Sequence, residues 1–262
     1  MRIGSHVERG SISKGALLRE SEVAQINTSA PQTWRKPSEK GDEESLKMGN
    51  LVIYVHAPYL VNPSSLNAEV REKSVICLQE QINYANKIGA KGLVVHGGHP
   101  TGSGIYEDGL RNWLDVLSRL EFGGMRLIVE NTAGGKEAVA RKLHNIENFF
   151  SKVRSTGYDI GFCLDTCHSW AGGIDQKNMV RNLKDAVGEI DLLHLNNSKD
   201  DFNSSRDRHE NILIGKINPE YLLEVIVEAD TDTVVETPGG ELAQREDVRY
   251  IRAELNKPFL NM

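Results

Sequence analysis

The sequence predicts an α/β fold: a closed (β/α)₈ barrel of the TIM type, formed as a single domain by residues 1–262. Three observations carry this prediction. Eight short apolar, β-branched runs recur along the chain, helical-looking segments separate most of them, and no linker or low-complexity stretch divides the chain. Barrels of this class commonly contain about 250 residues in one domain, close to the 262 residues present.

The apolar runs have the length and composition of buried strands in a parallel sheet. In chain order, the predicted strands are 2–7, 22–28, 50–56, 91–96, 125–130, 160–165, 191–195 and 233–236. The predicted helices lie between them at 10–20, 64–89, 107–121, 136–156, 176–188, 218–229 and 241–255. The second connection, 35–49, contains RKPSEKGDEESLK, which indicates either a short helix or a solvated loop.

The composition is that of a soluble globular protein. Hydrophobic residues make up 39% of the chain and charged residues 26%. No apolar run approaches the roughly 20 residues that span a bilayer, and the N-terminal sequence MRIGSHVERG lacks a signal-peptide pattern. The cysteines Cys77, Cys163 and Cys167 show no CxxC spacing, which argues against a thiolate zinc site. We therefore expect a cytoplasmic, intracellular monomer without membrane contact.

Side chains that can bind metal ions recur at the ends of the predicted strands. Apart from the first run, which carries His6, six of the eight runs carry a His, Asp or Glu at or next to the last position, and the carboxyl ends of parallel barrel strands meet at one face. Two loop segments, Asp165-Thr-Cys-His168 and Asp207-Arg-His209, follow the sixth and seventh runs. The nine candidate ligands are His56, His96, Glu130, Asp165, His168, His194, Asp207, His209 and Glu236.

This set of donors predicts a centre with more than one metal ion. Neutral imidazole and carboxylate suit zinc or manganese, whereas Cu⁺ and iron–sulfur clusters prefer thiolates. A single polar residue at a strand end is more often a hydrogen-bonding partner than a ligand. Four carboxylates gathered at one mouth would repel each other strongly unless cations lay between them. Nine ligands exceed the needs of one ion, so two or three ions bridged by a carboxylate such as Glu130 are predicted.

Four long motifs in this region resemble a known family. Together with IGSHV near the N-terminus and ETPGG near residue 240, they are similar to the endonuclease IV family of apurinic/apyrimidinic DNA repair endonucleases, in order and over most of the chain. The motifs are VENTAGG at 129–135, CLDTCHSWAGGID at 163–175, HLNNSKDDFNSSRDRHENI at 194–212 and ETP at 236–238.

The resemblance implies a (β/α)₈ barrel with three zinc ions, one or more of which manganese or iron can replace. It also implies that Glu130 and Glu236 are catalytic, with Glu130 bridging two ions. The implied ligand sets are His56, His96 and Glu130 for the first ion, Glu130, Asp165, His194 and Glu236 for the second, and His168, Asp207 and His209 for the third.

The activity implied is that of a deoxyribonuclease IV type hydrolase acting on double-stranded DNA with abasic sites or blocked 3′ ends. Family members cut the phosphodiester on the 5′ side of the abasic sugar, leave a 3′-hydroxyl and a 5′-deoxyribose phosphate, and remove 3′ blocking groups. A net charge of −6 alone argues against DNA binding. Three divalent ions would cancel that charge, so the two inferences agree.

The resemblance also indicates residues that face DNA. Tyr59 in HAPYLVN is expected to intrude at the lesion and help hold the nucleotide outside the stack. Gln32 in SAPQTW occupies a position where the family often carries an Arg that enters the base stack. Lys199, Arg206 and Arg208 are expected to meet phosphates because they are basic residues predicted to lie at the mouth, and the complete set of expected DNA contacts adds Gln32, Tyr59 and Asn131.

Two other functions remain open at this point. A sugar isomerase or epimerase on a similar barrel uses His and carboxylate ligands for one or two ions, and a DNA-binding module without activity would keep the fold. Asp207 and His209 distinguish the nuclease from the isomerase, because an isomerase does not need a third ion. His6 and His99 are interpreted as supporting residues rather than ligands.

Overall fold

The computed structural model describes residues 1–30 and 32–257. Pro31 in SAPQTW and the last five residues of the predicted domain lie outside the described residues. The barrel strands are β1 Ile3–Val7, β2 Val23–Asn27, β3 Val52–His56, β4 Gly92–His96, β5 Leu127–Glu130, β6 Gly161–Asp165, β7 Leu192–His194 and β10 Thr233–Val235. A separate antiparallel pair consists of β8 Asn197–Ser198 and β9 His209–Glu210. The eight parallel strands close into a barrel in the order β1-β2-β3-β4-β5-β6-β7-β10, which confirms the predicted fold class.

Nine α-helices are present in the described part of the chain. They are α1 Ile12–Leu18, α2 Glu43–Met48, α3 Ala68–Lys87, α4 Tyr106–Ser118, α5 Leu143–Ser155, α6 Thr166–Gly172, α7 Met179–Val187, α8 Pro219–Ala229 and α9 Gly240–Leu255. Side chains cap the starts of several helices: the Asn67 side chain accepts hydrogen bonds from two backbone N–H groups at the start of α3, and Asn218 caps α8 ahead of Pro219.

One predicted helix requires correction, and two observed elements were not predicted. The predicted helix 136–156 begins only at Leu143, because the preceding segment is bound by backbone hydrogen bonds to neighbouring loops, as in Val139 N–H to Gly98 O at 3.2 Å. Helix α6 was not predicted, and neither was the β8–β9 pair. The uncertain second connection contains both a loop and the short helix α2.

The barrel interior is filled with apolar side chains below the carboxyl ends of the strands. Each barrel strand except β1 contributes one side chain to a buried inner layer, while the helices pack against the outside of the barrel. This packing separates the polar groups at the carboxyl-terminal mouth from those at the opposite end of the barrel. The inner layer consists of Val23, Tyr54, Val94, Ile128, Cys163, Leu192 and Val234. Within residues 1–30 and 32–257, no helix combines the length and apolar content of a membrane span.

The opposite end of the barrel contains an ion-pair network in which the buried Asp232 meets two half-exposed cations. Lys91 Nζ lies 2.8 Å from Asp232 Oδ2, Arg2 Nε lies 3.1 Å from Oδ1, and the Tyr54 hydroxyl donates to Oδ2 at 3.2 Å. Burial alone would raise the pKa of Asp232, but the hydrogen bonds and charges of Lys91 and Arg2 outweigh it and lower the pKa. The ionised carboxylate therefore stabilises the fold.

We expect Asp232→Asn to lower the free energy of unfolding at pH 7 by about 1–2 kcal/mol, because Lys91 and Arg2 are half-exposed and partly screened. Since the folded-state pKa of Asp232 is depressed, this stabilisation is present above the unfolded pKa of about 3.9 and is lost as the pH falls through the folded pKa. Urea unfolding of both proteins at pH 7 and pH 3 tests the prediction. An equal stability difference at both pH values would contradict it.

Candidate metal centre

The nine candidate ligands meet at the carboxyl-terminal mouth of the barrel. Strand register places several of them at one height: His96 on β4 pairs with Glu130 on β5, and Asp165 on β6 pairs with His194 on β7. Their donor atoms form overlapping groups in which all atoms lie within 4.8 Å of one another: two groups share Glu130, a third joins Asp165 with His168 and His209, and a fourth joins Asp207 and His209 with the thiol of Cys167. The structure therefore brings together the side chains that the sequence analysis selected.

The first group contains His56, His96 and Glu130. His56 Nε2 lies 2.9 Å from Glu130 Oε2, and His96 Nε2 lies 3.4 Å from the same oxygen. Glu130 is completely buried, whereas His96 is partly exposed toward the mouth. One carboxylate oxygen thus faces two imidazole nitrogens, the arrangement of ligands around a shared cation.

The second group shares Glu130 with the first. His194 Nδ1 lies 3.1 Å from Glu130 Oε1, 3.3 Å from Glu236 Oε2 and 3.9 Å from Asp165 Oδ2. Because the two oxygens of Glu130 face different groups, this carboxylate lies between them and has the position expected of a bridge. The four members of the second group are Glu130, Asp165, His194 and Glu236.

The third set joins His168 on α6 with Asp207 and His209. Asp207 Oδ1 lies 3.0 Å from His168 Nε2 and 3.2 Å from His209 Nε2. Both Nε2 atoms are buried, yet neither has a well-aligned hydrogen-bond partner among the described residues. Buried polar atoms are rarely left in this condition. The Nε2 atoms of His168 and His209 therefore face the Asp207 carboxylate in an arrangement that a cation between the three side chains would satisfy.

The pKa values of the clustered side chains indicate an excess of negative charge at the mouth. Burial raises the pKa of Asp165. Burial alone would lower the pKa values of His168 and His194, but nearby acidic groups raise both well above the usual value. Burial alone would raise the pKa of Glu236, but neighbouring histidines lower it to about 2. The carboxylates therefore draw protons onto His168 and His194, whereas burial lowers the pKa of His96 to about 4, and bound cations would supply positive charge to the carboxylates.

Two asparagines that follow strands hold the ligands in place. Asn131 accepts a hydrogen bond from Asp165 N–H at 2.7 Å and donates to Asp165 O at 3.0 Å. Asn196 donates to Asp165 Oδ2 at 2.7 Å and accepts from Glu236 N–H at 2.8 Å. Asn131 is completely buried with both polar atoms of its side chain on Asp165, and its contact with DNA stays a prediction. Sequence reasoning missed Asn196, although it follows His194 by two residues.

In three of the candidate histidine ligands the Nδ1 atom is hydrogen-bonded to the backbone. In each ring Nδ1–H donates to a carbonyl oxygen and Nε2 is left facing the centre, an arrangement that orients histidine ligands in metal sites. These pairs are His56 with Ala57 O at 2.8 Å, His168 with Asn131 O at 2.9 Å, and His209 with Glu236 O at 3.4 Å.

Tyr59 and Gln32 are exposed, as expected for residues that face a ligand. Tyr59 is 64% exposed, and its ring meets His96 edge-on with the centroids 5.6 Å apart. A cavity of about 290 Å³ opens over His96 and His209, and a groove of about 570 Å³ continues beside it between Tyr59 and His99. Surface is therefore available next to the candidate ligands.

The three predicted basic contacts lie on or beside the loop that carries Asp207. Arg208 forms two short hydrogen bonds with Asp200, at 2.7 Å and 2.5 Å, so its charge is already engaged. Arg206 is more exposed and lies 3.6 Å from Asp200, while Lys199 lies 3.9 Å from Glu210. Arg206 and Lys199 are consequently the less tightly paired of these cations.

Comparison with known proteins agrees with this architecture. The family described as "Xylose isomerase-like TIM barrel" matches residues 29–254. "Probable endonuclease 4" of Mycobacterium marinum (strain ATCC BAA-535 / M) is 40% identical over 256 residues, which are 98% of this chain and 100% of that protein. The crystal structure of endonuclease IV from Thermus thermophilus superposes with a TM-score of 0.80 at 30% identity, covering 98% of this chain and 100% of that one.

A D-tagatose 3-epimerase-like protein also shares the fold, with a TM-score of 0.75 at 19% identity over 98% of this chain and 99% of that chain. Identity at this level shows the fold alone. The relatives that share sequence over the full length, together with the ligand arrangement, identify the group within the fold. The chain belongs to the endonuclease IV family.

Proposed function

We propose that this protein is a metal-dependent DNA repair endonuclease that hydrolyses the phosphodiester 5′ to an abasic site in double-stranded DNA. Its products would be a 3′-hydroxyl and a 5′-deoxyribose phosphate, and it would also remove blocking groups from 3′ ends. The observation that carries the proposal is the convergence of nine imidazole and carboxylate side chains around Glu130 at one barrel mouth. Membership of the endonuclease IV family supports it.

The residues present fit three divalent ions. Imidazole and carboxylate are typical zinc ligands, and manganese or iron would be accepted by the same donors in one or more positions. The two buried Nε2 atoms of the third set, which lack hydrogen-bond partners among the described residues, support an ion there. We propose that His56, His96 and Glu130 hold the first ion, Glu130, Asp165, His194 and Glu236 the second, and His168, Asp207 and His209 the third.

When bound, such ions lower the pKa of water to near neutral and stabilise charge on the attacking and leaving oxygens of a phosphodiester. The protein itself supplies orientation. Glu130 keeps the first two ligand groups together, and Asn196 fixes both Asp165 and Glu236. Burial raises the pKa values of Cys163 and Cys167 to about 12, so both thiols are protonated, although Cys167 Sγ lies within 4.8 Å of donor atoms of Asp207 and His209.

DNA contact is proposed for exposed residues around the mouth. Tyr59 stands beside His96, where an aromatic ring would pack against a displaced nucleotide or its neighbours. Lys199 and Arg206 are positioned on the Asp207 loop to meet phosphates, and Arg208 would do so only by sharing its charge with Asp200. Gln32 would contact DNA through its amide instead of an inserted guanidinium.

We expect Tyr59→Ala to raise the KM for an abasic duplex about tenfold, because aromatic contacts with bases contribute roughly 1–3 kcal/mol. The melting temperature should change little, since the side chain is 64% exposed. Steady-state incision kinetics check this expectation. Tyr59→Phe keeps the ring and serves as the matched control with a near-native KM. A Tyr59→Ala protein with the native KM would exclude the contact.

The proposed function is tested with two end-labelled duplexes that differ only in one abasic site. Zinc-loaded protein should cut the lesion strand once, 5′ to the abasic sugar, and a DNA polymerase should extend the resulting 3′ end without further processing. The undamaged duplex should remain intact. If zinc-loaded protein leaves both duplexes uncut, the proposal is wrong.

A further inference from the structure

Strands β1 and β2 supply none of the nine proposed ligands, but a β2 side chain contacts two of them. Gln25 is completely buried and points into the barrel beneath the mouth. His194 Nε2 lies 2.7 Å from Gln25 Oε1, and Gln25 Nε2 donates to Glu236 Oε1 at 2.6 Å. One amide therefore connects the end of β7 with the end of β10.

The contact with His194 determines which ring nitrogen is available to a cation. A glutamine carbonyl oxygen only accepts hydrogen bonds, so His194 Nε2 carries a proton, and Nδ1 is the ring nitrogen that would offer its lone pair to a bound cation. Nδ1 is the nitrogen that faces Glu130 and Glu236, at 3.1 Å and 3.3 Å. The ring orientation and the tautomer are thus set together.

His194 differs in this respect from the other histidines whose far nitrogens have partners. His56 and His209 donate from Nδ1 to backbone carbonyls and face the centre with Nε2, while His168 Nδ1 donates to Asn131 O and also lies 3.1 Å from Glu130 Oε1. His194 faces the centre with Nδ1, and its far nitrogen is held by a side chain. Its tautomer can therefore be altered by a single substitution, which is not possible for a backbone partner.

The second contact acts on Glu236. Its carboxylate is partly exposed at the mouth, and the Gln25 bond is the shortest of the side-chain hydrogen bonds that it accepts. The Gln25 amide holds Oε1, while Oε2 faces His194. The same Gln25 nitrogen lies 3.4 Å from His6 Nδ1, so a side chain of β1 also contacts the amide.

We propose that Gln25 is a positioning residue of the metal centre: it fixes His194 as the Nε2–H tautomer that presents Nδ1 and holds the Glu236 carboxylate toward the same ion. This inference rests on the proposed metal-dependent function. Hydrogen-bonding partners of this kind typically change metal affinity by about 10–100-fold when they are removed.

Three variants separate positioning from simple loss of stability. Gln25→Leu has similar volume and removes both contacts. Gln25→Glu keeps an acceptor for His194 Nε2–H but no longer donates to Glu236. Gln81→Leu is the matched control, because Gln81 is equally buried, bonds to Thr28 and contacts none of the nine ligands.

The measurements are zinc release to a competing chelator, followed by ion counting, and NMR of the histidine ring nitrogens in the zinc-loaded protein. We expect Gln25→Leu to release one ion at about 10–100-fold lower chelator concentration and to lose the slowly exchanging His194 Nε2–H signal. Gln25→Glu should keep that signal. Gln81→Leu should retain both the native signal and the native zinc affinity.

The inference is overturned if Gln25→Leu shows native zinc affinity and native ring signals, or if Gln81→Leu loses zinc to the same extent. A wild-type chain that takes up no zinc would overturn the metal centre and this inference together. A wild-type chain that binds zinc with the expected His194 signal but does not cut abasic DNA would leave the inference standing and refute only the proposed function.

Discussion

Glu130→Gln is expected to lower kcat/KM for incision of an abasic duplex by about 1000-fold or more. Metal ions stabilise phosphoryl transition states by several kcal/mol, and each tenfold change in rate corresponds to about 1.4 kcal/mol. Glu130 is buried, with one oxygen 2.9 Å from His56 Nε2 and the other 3.1 Å from His194 Nδ1. The amide keeps the shape of the side chain but removes the charge that two ions would share.

The rate should be measured with the metal content of the same preparation, so that loss of ions and loss of chemistry are recorded together. Glu43→Gln is the matched control, because Glu43 is another buried carboxylate, held by Arg9 and Tyr84 away from the mouth. We expect this control to lose stability and keep the native rate. A Glu130→Gln protein that cuts at the native rate would show that Glu130 is not a bridge.

Asp207→Asn is expected to reduce the ion count from three to two and to lower kcat about 100-fold, or roughly 2.7 kcal/mol of barrier. Asp207 Oδ1 is the oxygen that faces the two buried Nε2 atoms of His168 and His209. The first two ligand groups do not include Asp207 and should keep their ions. Metal analysis of purified protein and single-turnover kinetics provide the two readouts.

Asp201→Asn is the matched control for this variant. Asp201 lies on the same loop and is strongly exposed, with Lys216 at 3.7 Å. Its replacement removes the same charge without touching a candidate ligand, so three ions and native kinetics are expected. If Asp207→Asn leaves both the ion count and kcat unchanged, a centre with one or two ions, such as an isomerase uses, would describe the protein better.

The barrel and the location of the site were predictable because both depend on repeated local patterns. Apolar runs of strand length recur eight times, and six of them end on a ligand type, as in GLVVH ending at His96 and GFCLD ending at Asp165. In a parallel barrel such ends necessarily meet at one mouth. The structure places Glu130 between two groups of histidines, which agrees with the predicted bridging position.

Features that depend on tertiary hydrogen bonds were not predictable in the same way. Helix α6 is only seven residues long and begins where Asp165 accepts a hydrogen bond from His168 N–H. The β8 and β9 strands have two residues each, too few to produce a sequence pattern. The two hydrogen bonds between the Asn131 side chain and the Asp165 backbone are another such feature.

Gln25 shows a signal that sequence reasoning overlooked. In the β2 sequence VAQIN, Gln25 and Asn27 are polar at alternate positions, so both face the same side of the strand. A buried amide below a mouth rich in carboxylates and imidazoles needs hydrogen-bond partners, and the ligands are the nearest candidates. Which ligands it contacts depends on closure of the barrel, since His194 and Glu236 lie about 170 and 210 residues away along the chain.

The central claim, that a three-ion centre at the barrel mouth cuts DNA at abasic sites, is tested most directly by titrating the metal-free chain with zinc. At each step, incision of the abasic duplex and the number of bound ions are measured on the same sample. The account predicts that full activity is reached only when about three ions per chain are bound. Full activity with a single bound ion, or no incision with three, would contradict it.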